Sequence, residues 1–580
     1  MKVSDYMIQF FIDKGITDGF GYPGGMVTPL MDSFAKREDK ICAHITYHEQ
    51  AAAFAACAYA QVTGRPGVAY ATSGPGATNL ITGICNAFFD SLPVIFLTGQ
   101  VNSFEAKGDL KIRQRGFQET DIVSMVRNVT KYAVYADRAD KIKYYLERAY
   151  DTALKGRRGP VLLDIPMDVL RSEIHPEGLT GWDEYDNATE DKGVCEQYRC
   201  KLKELRTVTE RELSTAKRPC ILLGNGIKLA GMKRECRLMV SKWRIPAVSS
   251  MPGMDILSGS AGGDTDYYGF IGSYGNRTAN FILAKSDLVI ALGTRLDIRQ
   301  VGAAREQFAA KAKIIRVDID SGELEYKIRE DDLSYELDLK DAIPELIKIP
   351  YALSDPSWKQ VCEVIRTKLA NIDDREVNRY MKVLSGLIPD HRIITTDVGQ
   401  NQVWTAQSFH AREHQEVLFT GGHGAMGYAL PAAIGAYYGG KKPVICMSGD
   451  GGFQMNIQEL QYISREKLPI KMMLWNNAAL GMIRHFQEMY FEERYTQTVA
   501  EGGYTVPDFC AVAGAYGIRS RRIRRWEELS QIDFEDGIPE LIEIILTGKT
   551  YVYPKLEYGK PNQDQEPLLE RSLYDYLMDL

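Results

Sequence analysis

One stretch constrains this 580-residue chain more than any other: VICMSGDGGFQMNIQELQYISREKLPIKMMLWNN, residues 444–477. Val444 to Met447 form a short apolar run that stops at Gly449, the pattern of a buried strand. Leu460, Ile463 and Ser464 then fall at helical spacing, and a second apolar run, Ile470 to Trp475, delivers Asn476 and Asn477 at its end. A strand–helix–strand unit of this kind sets both strand ends side by side at one edge of a parallel sheet. Glycines there let the backbone approach a phosphate closely, and Asp450 is a hard oxygen ligand for a divalent cation. Asp450 and Asn477 can therefore share one Mg²⁺, with a diphosphate completing its shell. Gly-Asp-Gly alone is a common turn; the whole strand–GDG–helix–strand–NN pattern is far more specific.

Composition excludes several classes. A net charge of −7 and a pI near 5.8 disfavour a nucleic-acid footprint, and the short basic run Arg519 to Arg525 reads as a solvated edge strand. Ten cysteines are scattered through apolar segments without a CxxC, and Cys195 and Cys200 lack a nearby histidine pair. Reduced thiols in a cytoplasmic enzyme are the expectation, with neither zinc nor a disulfide framework. The first residues lack the cationic and apolar regions of a signal peptide, and no apolar run approaches membrane-spanning length.

Along the chain, Ser4 is a candidate cap for a first helix that Gly15 ends. Tyr22-Pro23-Gly24-Gly25 follows a short strand, and Glu49 stands where HITYHE meets an Ala-rich helix. Thr72-Ser73-Gly74-Pro75-Gly76-Ala77-Thr78-Asn79 is a Gly-rich turn before a helix, able to hold an anion or simply to turn the chain. Phe117-Gln118-Glu119 lies in a charged loop, and Gly421-Gly422-His423-Gly424-Ala425-Met426-Gly427 opens a small-residue helix.

Taken together these segments resemble thiamine-diphosphate (ThDP) enzymes, and in particular the acetolactate (acetohydroxyacid) synthase catalytic-subunit family, over nearly all of residues 1 to 550. The resemblance implies an α/β chain of three domains, each a mostly parallel sheet flanked by helices. These are a pyrimidine-binding domain over 1–172, a central domain over 190–348 and a diphosphate-binding domain over 358–550, followed by a C-terminal arm over 551–580. Residues 172–195 and the stretch 349–358 read as the connections. Glu49 is implied as the catalytic carboxylate, exchanging a proton with the cofactor's pyrimidine. Tyr22, Pro23, Gly24, Gly25, Thr72, Asn79, Gln400, Gly424 and Met426 are implied cofactor contacts. So are Gly449, Asp450, Gly451 and Gly452, with Asn477, Ala479, Leu480, Gly481 and Met482. The metal ligands would be Asp450, Asn477 and the Ala479 carbonyl. Gly25, Phe117, Gln118, Met482 and Phe486 would line the substrate pocket, Phe117 and Gln118 reaching a neighbouring subunit's site.

The family's middle domain holds FAD. Its implied contacts here are Gly224, Asn225, Gly226, Gly272, Ser273, Tyr274, Gly293, Arg295, Asp297, Arg299, Asp318 and Asp338. The match there is partial, and a relic domain without flavin is the alternative. Departures from the family pattern are Met167 in place of lysine, His423 in place of leucine, and Phe486 in place of tryptophan. The implied reaction decarboxylates pyruvate and adds the two-carbon acetyl unit to a carbonyl acceptor. A second 2-oxo acid is the expected acceptor; a nucleotide-linked keto-sugar, or a non-catalytic ThDP-binding paralogue, are the competing readings. A homodimer or homotetramer with interfacial sites is implied, without nucleic-acid or membrane partners. The Pro- and charge-rich arm reads as an extended segment over the surface or the active-site mouth.

Overall fold

The computed structural model describes residues 1–182, 192–258 and 266–580. Part of the expected 172–195 connection thus lies outside the described residues. Three six-stranded sheets, every pairing parallel, carry the fold, and helices cover their faces. In spatial order the first sheet runs Cys42–Ile45, Asp18–Gly21, Gly67–Ala71, Val94–Gln100, Val161–Pro166, Tyr132–Tyr135. The third repeats that winding: Glu416–Leu418, Ile393–Thr396, Val444–Gly449, Ile470–Asn476, Glu540–Ile545, Arg519–Ile523. The middle sheet is wound differently, as Leu333–Glu336, Lys313–Asp318, Leu288–Leu292, Pro219–Leu223, Ala247–Ser249, Tyr267–Phe270. Numbered from its own first strand this is the 3-2-1-4-5-6 order of dinucleotide-binding sheets.

The continuous apolar runs read from the sequence are these central strands. Val444 to Met447 and Ile470 to Trp475 are buried throughout, as strands covered on both faces must be. The Ala-rich helix Glu49–Thr63 packs along the small-residue helix Ala429–Gly440 so closely that a Cβ on Gly435 would lie 1.9 Å from the Ala55 carbonyl oxygen. Both helices are buried around most of their circumference, which joins the first and third sheets in one hydrophobic core. The middle sheet has its own core, to which helix Ser357–Leu369 contributes Trp358, Cys362, Ile365 and Leu369. The end of the chain reaches that core too: Leu569 and Leu577, the latter on the final helix Arg571–Asp579, are buried in it.

Two local expectations differ. The first helix spans Val3–Asp13 with Lys2 at its cap position, and Ser4 is buried as its second residue, accepting a hydrogen bond from the Ser33 hydroxyl at 2.8 Å. Lys2 bridges to Glu173, which fixes the start of the helix before Ser4. The basic run is an edge strand, Arg519–Ile523, but its arginines are more than solvated. Arg519 and Arg521 pair with buried Glu540 and Arg522 with buried Glu543, at 2.9, 2.6 and 2.7 Å. Among the described residues no helix is long and apolar enough to cross a membrane.

Candidate active site

Each sheet reverses its winding between its first strand and the neighbour on the other side, and the crevice outside those two carboxyl ends is where such sheets bind ligands. In the third sheet that point lies between Ile393–Thr396 and Val444–Gly449, and the chemistry-bearing residues are there. A cavity of about 800 Å³ opens at it. Gln400, Met426, Gly449, Asp450, Gly451, Gly452, Asn477, Ala479, Leu480, Gly481, Met482 and Phe486 all line it. Three helices begin at its wall, at Gln400, Asp450 and Gly481. Their free N–H groups and positive dipole ends favour an anion such as a diphosphate.

Asp450 is buried. Its Oδ1 accepts the Tyr504 hydroxyl at 2.9 Å and its Oδ2 the Asn477 N–H at 3.1 Å. Burial pushes its pKa up to about 6 against these hydrogen bonds, so the carboxylate is short of countercharge. The Asn477 Nδ2 donates to Gln400 Oε1 at 3.0 Å and to Thr550 Oγ1 at 2.6 Å, while its Oδ1 accepts the Ala479 N–H at 3.1 Å. Asn476 is held from below by Glu543 at 2.8 Å. Behind them Asp397 accepts the N–H groups of Gly427 and Ala429 at 3.0 and 2.9 Å, fixing the loop that carries Met426.

The cradle admits no extra side chains. A Cβ on Gly481 would lie 2.1 Å from Gln400 Oε1, and one on Gly452 would lie 2.3 Å from Asp397 Oδ1. A carboxylate, an amide oxygen and nearby backbone carbonyls form the hard-oxygen set that Mg²⁺ takes beside a phosphate. The residues present therefore fit a metal-bound diphosphate.

The remaining predicted residues form two further groups. Asn225, Gly226, Ser273, Tyr274, Gly293, Arg295, Asp297, Arg299, Asp318 and Asp338 line the same cavity where it runs onto the middle sheet. Gly224 and Gly272 lie behind that wall: a Cβ on Gly224 would meet the Gly293 carbonyl oxygen at 2.0 Å, and the Gly272 N–H is held by Asn280 at 2.9 Å. Asp318 and the start of Asp338 stand at the carboxyl ends of neighbouring strands, where a nucleotide's ribose is held in sheets of this order. The fit to an adenine dinucleotide is good.

Glu49, Tyr22, Pro23, Gly24, Gly25, Thr72, Asn79, Phe117 and Gln118 are absent from the lining of that cavity. They gather instead at the reversal point of the first sheet, after Gly21 and Ala71. Glu49 is the first residue of its helix, capped by the His48 side chain, and its Oε2 accepts the Asn79 amide at 3.0 Å. Gly24 packs on Thr72 and Gly74 on Gln118. Phe117 projects outward, 79% exposed, and Gln118 holds a left-handed φ of 65°. Gly424 stays outside the cavity lining, and His423 is exposed with its ring stacked on Phe89.

Sequence reasoning missed Tyr504, Thr550 and Lys555. Tyr504 and Thr550 hold the metal-type ligands, and Lys555 lines the cavity from the arm. All three sit in irregular segments without periodicity, and only their place in the folded chain marks them.

A split pair of winding-reversal sites, one presenting a carboxylate at a helix start and the other a diphosphate cradle, defines the class of thiamine-dependent enzymes. Residues 1–125 match the thiamine pyrophosphate enzyme N-terminal TPP binding domain, 209–346 the central domain and 397–540 the C-terminal TPP binding domain. The chain belongs to the thiamine pyrophosphate enzyme family. Its relatives include the acetolactate synthase isozyme 2 large subunit of Escherichia coli (strain K12), 33% identical over 97% of this chain and 99% of that protein. The acetolactate synthase large subunit of Lactococcus lactis subsp. lactis (strain IL1403) is 35% identical over 96% of this chain and 94% of its own. The probable acetolactate synthase large subunit of Methanocaldococcus jannaschii is 34% identical over 95% and 91%.

Proposed function

We propose that this protein is a ThDP- and Mg²⁺-dependent carboligase that decarboxylates pyruvate and adds the acetyl unit to a second 2-oxo acid, giving a 2-acetolactate-type product. The observation that carries the reading is the convergence of Asp450, Asn477, Gln400 and Thr550 on a glycine-walled cavity fed by three helix starts. The names of the relatives favour the 2-oxo acid over a keto-sugar as acceptor.

In this reading Asp450, the Asn477 amide oxygen and the Ala479 carbonyl hold Mg²⁺ against the diphosphate. Met426, on the loop that Asp397 fixes, would pack against the cofactor. Bound there, the thiazolium supplies a carbon nucleophile and stores the electron pair released with CO₂. Glu49 holds and returns a proton at the pyrimidine nitrogen, a role its position among apolar neighbours suits. Met482 and Phe486 border the acceptor side. Because Glu49 does not line the cavity of its own chain, a second copy is needed to bring the two together. Phe104, Leu110, Ile112 and Phe117 are large apolar side chains exposed in one segment, which supports burial against that copy. The unit is then a homodimer or a pair of them. FAD would be held in the middle-sheet part of the cavity, where Asp318, Asp338, Arg295 and Arg299 could bind its polar groups.

We divide the chain as 1–172, 190–348 and 358–550, with 551–580 as an arm that docks on the middle unit; the helix Ser357–Leu369 at the start of the third unit also packs into the middle unit's core. The nine described cysteines are all free, which supports a cytoplasmic protein.

The purified protein, incubated with ThDP, Mg²⁺ and pyruvate with and without FAD, is expected to release CO₂ and form acetolactate in step. CO₂ release without acetolactate would overturn the second half of the reading, and no CO₂ would overturn both.

A further inference from the structure

Among the described residues, the buried lysines and the half-buried pair beside Asp255 have a carboxylate or carbonyl partner, except one that lines the active-site cavity. Lys228 and Lys233 pair with buried Asp255 at 2.9 and 3.2 Å. Lys471 pairs with Asp536 and Glu540 at 2.7 and 3.1 Å, and Lys285 donates to the Met578 carbonyl at 2.9 Å. Lys555 is as buried, 5% exposed, yet among the described residues no carboxylate lies within ion-pair distance of its ammonium. Its contacts are the Met489 sulfur at 2.9 Å and the face of Phe486, 4.4 Å from the ring centroid. A thioether and an aromatic face are weak substitutes for an anion.

The charges around it are committed elsewhere. On the helix Gly481–Tyr490, Arg484 and Glu488 pair at 3.4 Å. His485, next to them, is kept neutral by burial and by Lys555 itself, its pKa pushed down to about 4. On the arm, Glu566 is bonded to Lys560 and to the Leu568 N–H, and Glu557 pairs with Lys560. Arg375 lies over the Tyr553 ring.

We infer that Lys555 forms an anion-binding subsite on the acceptor side of the cavity, reading an oxyanion carried by the acceptor substrate. The placement fits this role. Phe486, Tyr490, Leu556 and Met482 line the cavity with it, which also holds Asp450 and Asn477. The arm segment that carries Lys555 is pinned in place: the Leu556 N–H donates to the Ser273 carbonyl at 2.6 Å, and Asn562 donates to the Gln300 carbonyl at 2.6 Å. Burial pushes the ammonium's pKa down to about 8, so a bound anion would restore the charge that burial penalises. This deepens the carboligase reading and rests on it: the oxyanion is the carboxylate of a 2-oxo acid or the phosphate of a phosphorylated aldehyde.

The test compares wild type with Lys555→Met and Lys555→Arg as full-length holoenzymes, with pyruvate as donor. Three acceptors are offered, 2-oxobutanoate, glyceraldehyde 3-phosphate and neutral propanal, and kcat/KM is measured for each. Lys555→Met is expected to lower the preference for an anionic over the neutral acceptor at least tenfold, and Lys555→Arg to recover it to within threefold. In wild type that preference should fall as pH rises from 7 to 9, and in Lys555→Met it should be flat. Loss for 2-oxobutanoate identifies the carboxylate and loss for the phosphorylated aldehyde identifies the phosphate. A preference that is unchanged, or rates that fall equally for all three acceptors, would overturn the subsite. Calorimetric binding of 2-oxobutanoate and of inorganic phosphate covers a protein that releases no CO₂. At least tenfold weaker binding to Lys555→Met supports the subsite, and equal or absent binding overturns it; failure of CO₂ release alone counts against the carboligase reading.

Discussion

Asp450 and Glu49 are both buried carboxylates at the first position of a helix, yet their surroundings differ in kind. Asp450 is tied on both oxygens, by Tyr504 and by the Asn477 N–H, and faces a cavity formed by its own chain. Glu49 has the Asn79 amide at 3.0 Å and does not line that cavity, and Tyr22 and Phe117 of the same unit are exposed. The first arrangement is a finished binding site. The second is a buried carboxylate outside that cavity. On the proposed reading, holding the cofactor and acting on it are divided between two copies, so catalysis would depend on assembly while the binding geometry is set within one chain.

The comparison breaks most sharply on two substitutions. Asp450→Ala should lose Mg²⁺-dependent ThDP binding by at least about 100-fold, as loss of a ligand and its hydrogen bonds implies. Glu49→Gln should keep ThDP binding within about threefold and lose activity by about 10³-fold, the scale of positioned proton transfer. Calorimetry with ThDP and Mg²⁺, beside acetolactate formation, separates them. Equal loss of binding in both variants would mean that the two halves are not divided as described.

The junctions between units show the same contrast. Asp255 on the middle unit is fully buried between Lys228 and Lys233, and Lys228 and Asp255 also bond the Val417 carbonyl and N–H of the third unit. Arg157 of the first unit reaches Asp320 and Glu323 of the middle unit from a half-buried position. Burial alone would raise the Asp255 pKa, but the two ammonium groups outweigh it and hold it at about 2, below its ordinary 3.8. A depressed carboxylate pKa contributes stability that is complete above the unfolded value and is lost as pH falls through the folded one. The contribution here is about 2 kcal/mol, lost between about pH 4 and pH 2. Thermal melts across that range should show the decline in wild type and a flatter profile in Asp255→Asn. Arg157→Ala should shift melting by less, and less still in high salt. A wild-type profile no steeper than that of Asp255→Asn would remove Asp255 from the junction's account.

The legible part of this molecule was what local pattern enforces. Val444 to Met447 is an uninterrupted apolar run, and Ile470 to Trp475 is broken only by Lys471, whose charge is paired, because parallel strands are covered on both faces. The residues proposed to hold the diphosphate follow directly on those strand ends, which is why they come together at one cavity. Glu49 was legible for the same reason, as the start of an Ala-rich helix after a strand. The illegible part was tertiary. Ser4 has the side chain of a cap but lies inside a helix whose start is set by the Lys2–Glu173 bridge. The arginines of 519–525 looked solvated because Glu540 and Glu543 lie on the neighbouring strand and not nearby in sequence. Tyr504 is 54 residues from Asp450 along the chain. No periodicity or motif announces such a contact.

Tyr504 also gives the smallest of the expected effects and the finest division of the binding half. Its hydroxyl donates to Asp450 Oδ1, the same carboxylate that would take the metal, and it stands near Gly451 in the cradle wall. A phenol that only packs could lose its hydroxyl without consequence, whereas one that orients the carboxylate could not. Tyr504→Phe keeps the ring and removes the donor, so the cost should be about 1 kcal/mol, a fivefold to tenfold loss of Mg²⁺ affinity in the presence of ThDP. The thermal stability of the cofactor-free protein should change little, because removing the donor also frees the buried carboxylate to take up a proton more readily as its pKa rises. Titrating Mg²⁺ against ThDP-saturated protein reads the first quantity and a melt of the cofactor-free protein the second. Weakened melting with unchanged Mg²⁺ affinity would make Tyr504 part of the scaffold, and the binding half would then be organised by Asn477, Gln400 and Thr550 alone.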